Sequence, residues 1–250
     1  MSNKYAVLVT GAAGGIGNAI VKELKNNGFF VVGVDKKSSL SESGNYDIEV
    51  DLLDIVRNSN IRDEFFNNVN NILHKKKLTL KGLVNNAAVQ ILSRLEDIDL
   101  KDFHETIDVN LTSALILTKL FLDKLEASNG SIVNIGSIHS SLTKPEFISY
   151  ATSKSALAGL TRAMAVDLGR KVRVNCLQPA ATATPMLLAG FEGKEESFKE
   201  LENYHPMGRI ADPREVAEFV VFLLNDQAKF TTGACFDING GIGYRLHDPE

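Results

Sequence analysis

Apolar residues along the chain gather in short continuous runs, separated by longer stretches with helical spacing. "YAVLVT" (5–10) is the first run, and "IGNAIVKELKNNG" after it reads as a helix ended by Gly28. "FFVVGVD", "GLVNNA", "GSIVNIGS", "VRVNCLQP" and "GACFDING" follow as further strands, with helical stretches between them. The strands are uniformly apolar rather than alternating. This is the pattern of parallel strands covered by helices on both faces. It predicts one α/β domain over residues 1–250, a doubly wound parallel sheet flanked by helices, without linker or internal repeat. One crossover is short: fifteen residues lie between Asp35 and Asp51 and must also supply a third strand, so a single helical turn or a loop is expected there.

Composition adds few constraints. The chain has 250 residues, 44% hydrophobic and 23% charged, with net charge -4 and pI about 5.8. That is ordinary for a soluble protein and gives no basic footprint for nucleic acid. Lys75, Lys76 and Lys77 read as a solvated helix end. Cys176 and Cys235 lack metal-ligand spacing and read as small core residues. No segment resembles a signal peptide or a membrane span, so a cytoplasmic location is expected, with no membrane or nucleic-acid partner.

Chemistry enters with "VTGAAGGIGNAI". Gly11, Gly14, Gly15 and Gly17 lie between the first strand and the first helix. Glycines there permit a tight turn and close backbone approach, and the helix start offers unpaired N–H groups to a phosphate. In that position the spacing reads as a dinucleotide site. Asp35 follows the second strand, eighteen residues after Gly17. An acidic residue there accepts bonds from the ribose hydroxyls and repels a 2′-phosphate, which favours NAD over NADP. Lys36 and Lys37 pull the other way. Later, "ISYATSKSALAGL" sets Tyr150 and Lys154 four residues apart on one helical face, among small residues. A nearby cation favours a phenolate and would bring the tyrosine below its ordinary pKa of about 10.

Taken in order, these motifs resemble the short-chain dehydrogenase/reductases along almost the whole chain. "TGAAGGIG" is similar to that family's glycine turn, "DLLD" from Asp51 to its adenine-contacting segment, and "NNAA" to N-N-A-G. "DVNLTS" carries Asn110, "IVNIGS" carries Ser137, and Tyr150 with Lys154 forms Y-x-x-x-K. "NCLQPAATATPM" matches N-x-x-x-P-G-x-x-x-T with Ala180 in place of glycine. The resemblance implies a Rossmann-type oxidoreductase. In it Tyr150 is the acid/base, Lys154 lowers its pKa, Ser137 holds the substrate oxygen and Asn110 supports a proton relay. It also implies a cofactor site of Gly11, Gly14, Gly15, Ile16, Gly17, Asp35, Asp51, Leu52, Asn86, Ala87, Tyr150, Lys154, Pro179, Thr182 and Thr184. No metal ligand is expected.

The helix after Tyr150 should face the sheet with Ala156, Leu157, Leu160, Ala163, Met164 and Leu168. Ala151, Ser155, Ala158, Gly159 and Arg162 lie mostly elsewhere. With the apolar helix "DVNLTSALILTKLFLDKL", this implies a homodimer or homotetramer. Residues 185–209 resemble the family's variable substrate loop, with Gly190 and Gly193 as hinges. Met186, Leu187, Leu188 and Phe191 either line a pocket or pack as core. Gln90, His139, Phe147, Met186 and Tyr204 are candidates for substrate contact, and the mixed character of the set points to a small polar alcohol such as a sugar, polyol or hydroxy acid. Two rival readings remain open: a dehydratase or epimerase using bound NAD transiently, and a non-catalytic dinucleotide sensor.

Overall fold

The computed structural model describes residues 4–36 and 45–246. Seven strands, β1 (Tyr5–Thr10), β2 (Phe30–Asp35), β3 (Tyr46–Glu49), β4 (Thr79–Asn85), β5 (Ser131–Ile135), β6 (Arg173–Pro179) and β7 (Cys235–Ile238), form one parallel sheet in the order β3-β2-β1-β4-β5-β6-β7. Strand order reverses beside β1, which pairs with both β2 and β4. Ligands in open sheets of this kind bind at such a point, beyond the carboxyl ends of the strands. The expected short crossover between β2 and β3 falls largely on residues 37–44, outside the described residues.

β1 shows why the runs are continuous. Ala6 and Leu8 join a core under one face, and Val7 and Val9 join a second core under the other. All four are fully buried. Burying a large aliphatic side chain contributes ~1.5–3 kcal/mol, so neither face tolerates a polar alternation. Helices α1 (Gly15–Asn26) and α9 (Pro213–Leu224) cover one face. Helices α3 (Ser59–Lys76), α5 (Ser113–Ala127) and α6 (Ile148–Leu168) cover the other. The shorter α2 (Leu52–Arg57) and α4 (Leu100–Ile107) flank them, and α7 (Pro185–Gly190) and α8 (Glu195–Tyr204) follow β6. α9 begins with a capping box: Asp212 caps the helix and Glu215 reaches back to the Asp212 N–H, with Pro213 in the first turn. Lys75 and Lys76 end α3, and Lys77 closes it in the left-handed conformation, φ 54°.

Two expectations need correction, and one alternative left open is narrowed. α6 buries Ser153, Lys154, Leu157, Ala158, Thr161, Met164 and Ala165, so Ala158 belongs to its own subunit's core. Ala163 is exposed, whereas Leu160 and Leu168 do pack against the sheet. Cys176 is fully buried, but Cys235, on the edge strand β7, is only partly so. α7 has no buried residue, so Met186 and Leu188 are exposed rather than core.

Candidate active site

The glycine turn leaves β1 at Gly11, φ 64°, a conformation that favours glycine. A Cβ at Gly17 would lie 1.9 Å from the Gly11 carbonyl oxygen, so α1 can start this close to the turn only without one. At Gly15 a Cβ would meet Thr184 at 2.7 Å and Pro185 at 2.9 Å, which brings the chain after β6 directly over the helix start. No side chain caps α1 at Gly14, and no acidic residue sits in its first turn. Its N-terminal N–H groups, which lack intrahelical partners, therefore suit a phosphate. The residues present fit a dinucleotide.

Neighbouring residues brace this turn. Thr10 Oγ1 accepts from the N–H groups of Asn86 (3.0 Å) and Ala87 (3.1 Å). Asn86 Nδ2 donates to the carbonyls of Thr10 (3.0 Å) and Gly11 (3.1 Å). The Asn86 side chain is thus committed to locking the end of β4 to the turn. Asp35, partly exposed at the end of β2, accepts from Ala13 N (3.0 Å) and Lys36 N (2.8 Å). Lys36 is exposed, and Lys37 lies outside the described residues. Asp51 caps α2 by accepting from Leu53 N (2.9 Å), and Leu52 is buried behind it. Pro179 ends β6, Thr182 Oγ1 donates to the Ala180 carbonyl, and Thr184 caps α7.

Ser137, Tyr150 and Lys154 come together at the carboxyl end of β5. Ser137 is buried beside the Tyr150 phenol, and its hydroxyl accepts from His139 N at 3.2 Å. Lys154, 2% exposed, places Nζ 5.6 Å from the centre of the Tyr150 ring and donates to the Ile135 carbonyl at 2.8 Å. Burial brings this ammonium down to about 8, partly opposed by Cys176. Burial also pushes the Tyr150 phenol up, partly opposed by Ser137. The net direction is the reverse of the lowering expected from the lysine. The physical reason is that burial penalises the phenolate, while the cation is turned onto the Ile135 carbonyl.

Asn110 lies in a π-helical turn (Asp108–Thr112) between α4 and α5. Its Oδ1 accepts from Val89 N (2.8 Å), and its Nδ2 donates to Val89 O (2.9 Å) and Ser153 Oγ (3.0 Å). It therefore ties the segment after β4 to α6. A second polar chain was not anticipated. Asn85 Nδ2 donates to Asn134 Oδ1 (2.8 Å), whose Nδ2 donates to Thr161 Oγ1 (2.9 Å). Asn85 and Asn134 are register partners on β4 and β5, so the chain runs across the sheet into α6. Thr10 and Ser153 were also missed; Thr10 alone had a signal, as the first residue of the glycine motif.

On the substrate side, His139 stacks on Phe147 (4.3 Å between centres, 8° between planes), and both rings meet Tyr150 edge-on at 5.7 and 6.1 Å. Burial, with Lys144 nearby, holds the imidazole down to about 4. Gln90 is exposed, as is Met186 at 77%. The Tyr204 hydroxyl donates to Glu200 on its own helix. Among the described residues, no helix is long and apolar enough to cross a membrane.

The family described as enoyl-(acyl carrier protein) reductase matches residues 11–243. The chain belongs to the short-chain dehydrogenase/reductases. These are NAD(P)-dependent enzymes. It is 39% identical over 170 residues to the 2-(S)-hydroxypropyl-CoM dehydrogenase 3 of Xanthobacter autotrophicus, a match spanning 66% of each chain. To the L-fucose dehydrogenase of Rattus norvegicus it is 32% identical over 252 residues, 95% of this chain and 90% of that one. Among solved structures, the ligand-free aldohexose dehydrogenase of Thermoplasma acidophilum superposes with a TM-score of 0.90 at 30% identity, covering 99% of this chain and 97% of that one.

Proposed function

We propose that this short-chain dehydrogenase/reductase interconverts a secondary alcohol and a ketone on a small polar substrate, a sugar, polyol or hydroxy acid, with NAD(H) preferred over NADP(H). The observation that carries it is the meeting of Tyr150, buried Ser137 and Lys154, whose Nζ lies 5.6 Å from the centre of the Tyr150 ring, at the same end of the sheet as the glycine turn. A nicotinamide dinucleotide held at the glycine turn would supply the hydride chemistry. Ser137 holds the substrate oxygen, and Tyr150 takes its proton during oxidation or returns it during reduction. Lys154 supplies positive charge beneath the phenol, and Asn110 keeps α6 and the segment after β4 in place for a proton relay. Asp35 supports NAD because its carboxylate stands beside the turn and repels a 2′-phosphate. The stacked His139–Phe147 pair beside Tyr150 forms one wall for the substrate, with a neutral imidazole to bond a hydroxyl. The names of the fucose and aldohexose dehydrogenases support a sugar or related polyol. One domain, with residues 185–209 closing over the site, suffices for this chemistry. A second copy covers the exposed Leu115 and Val166 on α5 and α6, beside Gly159, where an added Cβ meets nothing within 4 Å.

The test is kcat/KM over a panel of sugars, polyols and hydroxy acids with NAD⁺, for wild type and Tyr150→Phe. Phenylalanine keeps the edge contacts with His139 and Phe147 and removes only the hydroxyl that carries the exchangeable proton. General acid/base catalysis is worth ~10²–10⁴-fold, so the variant should lose at least ~10²-fold while still binding NADH. A variant keeping a tenth of wild-type turnover or more would exclude the role.

A further inference from the structure

Cys176 and Cys235 are the chain's two cysteines, and the reaction above uses neither. They are register partners on the neighbouring parallel strands β6 and β7. Adjacent strands lie ~4.8 Å apart and register partners point to one face. A disulfide spans Cα separations of ~4.4–6.8 Å, so the register brings the two cysteines into the range that a disulfide spans. In the structure the Cys176 thiol donates to the Leu177 carbonyl at 3.7 Å. Arg162, one helical layer above on α6, places Nη1 3.6 Å from Cys235 Sγ. The two sulfurs are unequal. Cys235 is partly exposed and Cys176 is fully buried. The neighbouring Cys176 thiol, together with Arg162, brings the Cys235 thiol down to about 7, whereas the Cys235 thiol beside it and burial push Cys176 up.

We propose that Cys235 and Cys176 form a peroxide-reactive dithiol, with Cys235 as the attacking thiolate and Cys176 as the thiol that resolves it into a disulfide between β6 and β7. The Cys235 sulfur attacks one oxygen of hydrogen peroxide. The O–O bond breaks, and the departing hydroxide takes a proton to leave as water, with sulfenic acid on Cys235. Cys176 then attacks that sulfur. The S–O bond breaks, and the second hydroxide leaves as water with the proton Cys176 gives up. Two thiols are oxidised and one peroxide is reduced to two waters.

The position of the pair couples it to the reaction centre. Cys176 Sγ lies directly under Gly136, where an added Cβ would come within 2.7 Å of it. Gly136 links Ile135, whose carbonyl receives the Lys154 ammonium, to Ser137. Drawing the Cys176 sulfur toward Cys235 alters the packing under both, so turnover should fall on oxidation and return on reduction. This consequence alone rests on the functional reading above.

The test exposes the reduced, full-length protein to hydrogen peroxide and follows thiol titre, peptide mass spectra and turnover. Both thiols should disappear together, with a linked Cys176–Cys235 peptide within one chain, and dithiothreitol should restore both. Cys176→Ser should accumulate a sulfenic acid on Cys235 that dimedone traps, and Cys235→Ser should keep its remaining thiol and its turnover under the same treatment. Thiols that survive peroxide, a disulfide that joins two chains, or full turnover in chains carrying the disulfide would overturn the proposal. Tyr150→Phe, inactive under the functional reading, should still close the disulfide, so failure of that reading and failure of the dithiol are told apart.

Discussion

Gly15 lies where the substrate-side chain crosses the phosphate turn, and Gly15→Ala tests whether that crossing sets cofactor affinity. The new Cβ would stand 2.7 Å from Thr184 Cβ, 2.8 Å from Thr184 Cγ2 and 2.9 Å from Pro185 Cδ. Carbon atoms are at ease at ~3.5–4.0 Å, so the shortfall is about 1 Å. Overpacking of this kind costs ~1–3 kcal/mol where the surroundings are fixed. Here they are not fixed, because α7 buries none of its residues and can lift away. The unliganded protein should therefore escape most of the strain, with Tm lowered by less than ~4 °C, the change that about 1 kcal/mol makes in a chain of this size. Closing Thr184 back over a bound dinucleotide restores the clash. A cost of ~1–3 kcal/mol at 1.4 kcal/mol per tenfold predicts NADH binding weaker by roughly 5–140-fold. Fluorescence titration of NADH, with thermal unfolding alongside, measures both quantities. Gly190→Ala, where a Cβ meets nothing within 4 Å, is the control and should leave affinity unchanged. A Gly15→Ala affinity within twofold of wild type would show that the crossing and the cofactor are independent.

Three further outcomes follow from the same geometry. Asp35→Ala should weaken NAD binding and narrow its margin over NADP, since it removes the carboxylate held by Ala13 N; paired titrations check it, and an unchanged margin would assign the choice elsewhere. Glu215, bonded twice by Arg209 at 2.7 Å and once by Asp212 N, is held at about 2 against an ordinary 4.5. A depressed carboxylate stabilises the fold above its unfolded pKa and loses that stabilisation as pH falls toward the folded value. Because the side chain is 40% exposed, solvent screening leaves only ~1 kcal/mol. Urea unfolding of wild type and Glu215→Gln should thus differ by about that much near neutrality and converge on acidification below about 4.5; a gap that widens refutes the assignment. Val166, 87% exposed, costs its own subunit little when replaced, so Val166→Arg should reduce an assembled wild type toward the 27.3 kDa monomer by light scattering, and an unaltered assembly would move the interface off α6.

What the sequence made legible, and what it hid, divides along a physical line. The strands were readable because each is buried on both faces, so composition alone marks it, as in the four buried residues of β1. The glycine turn was readable because a Cβ at Gly17 is sterically excluded by the Gly11 backbone, and a steric exclusion leaves its mark at a single position. The phase of α6 was not. Its small residues carry little contrast between faces, so Ala158 and Ala163 exchanged places, and only packing against the sheet decides which is inside. The Asn85–Asn134–Thr161 chain was invisible for a different reason: each residue is ordinary alone, and the bond between them exists only through the register of β4 on β5. The same holds for Cys176 and Cys235, whose pairing depends on β6 and β7 being aligned. Tyr150 and Lys154 sit between these cases. Helical spacing put the ammonium one turn from the phenol, but it could not say that Nζ would turn onto the Ile135 carbonyl. The sign of the phenol's shift depends on that orientation and on burial, both of them tertiary quantities. A spacing motif therefore predicts which groups meet at this site, while their protonation must be argued from the packed structure.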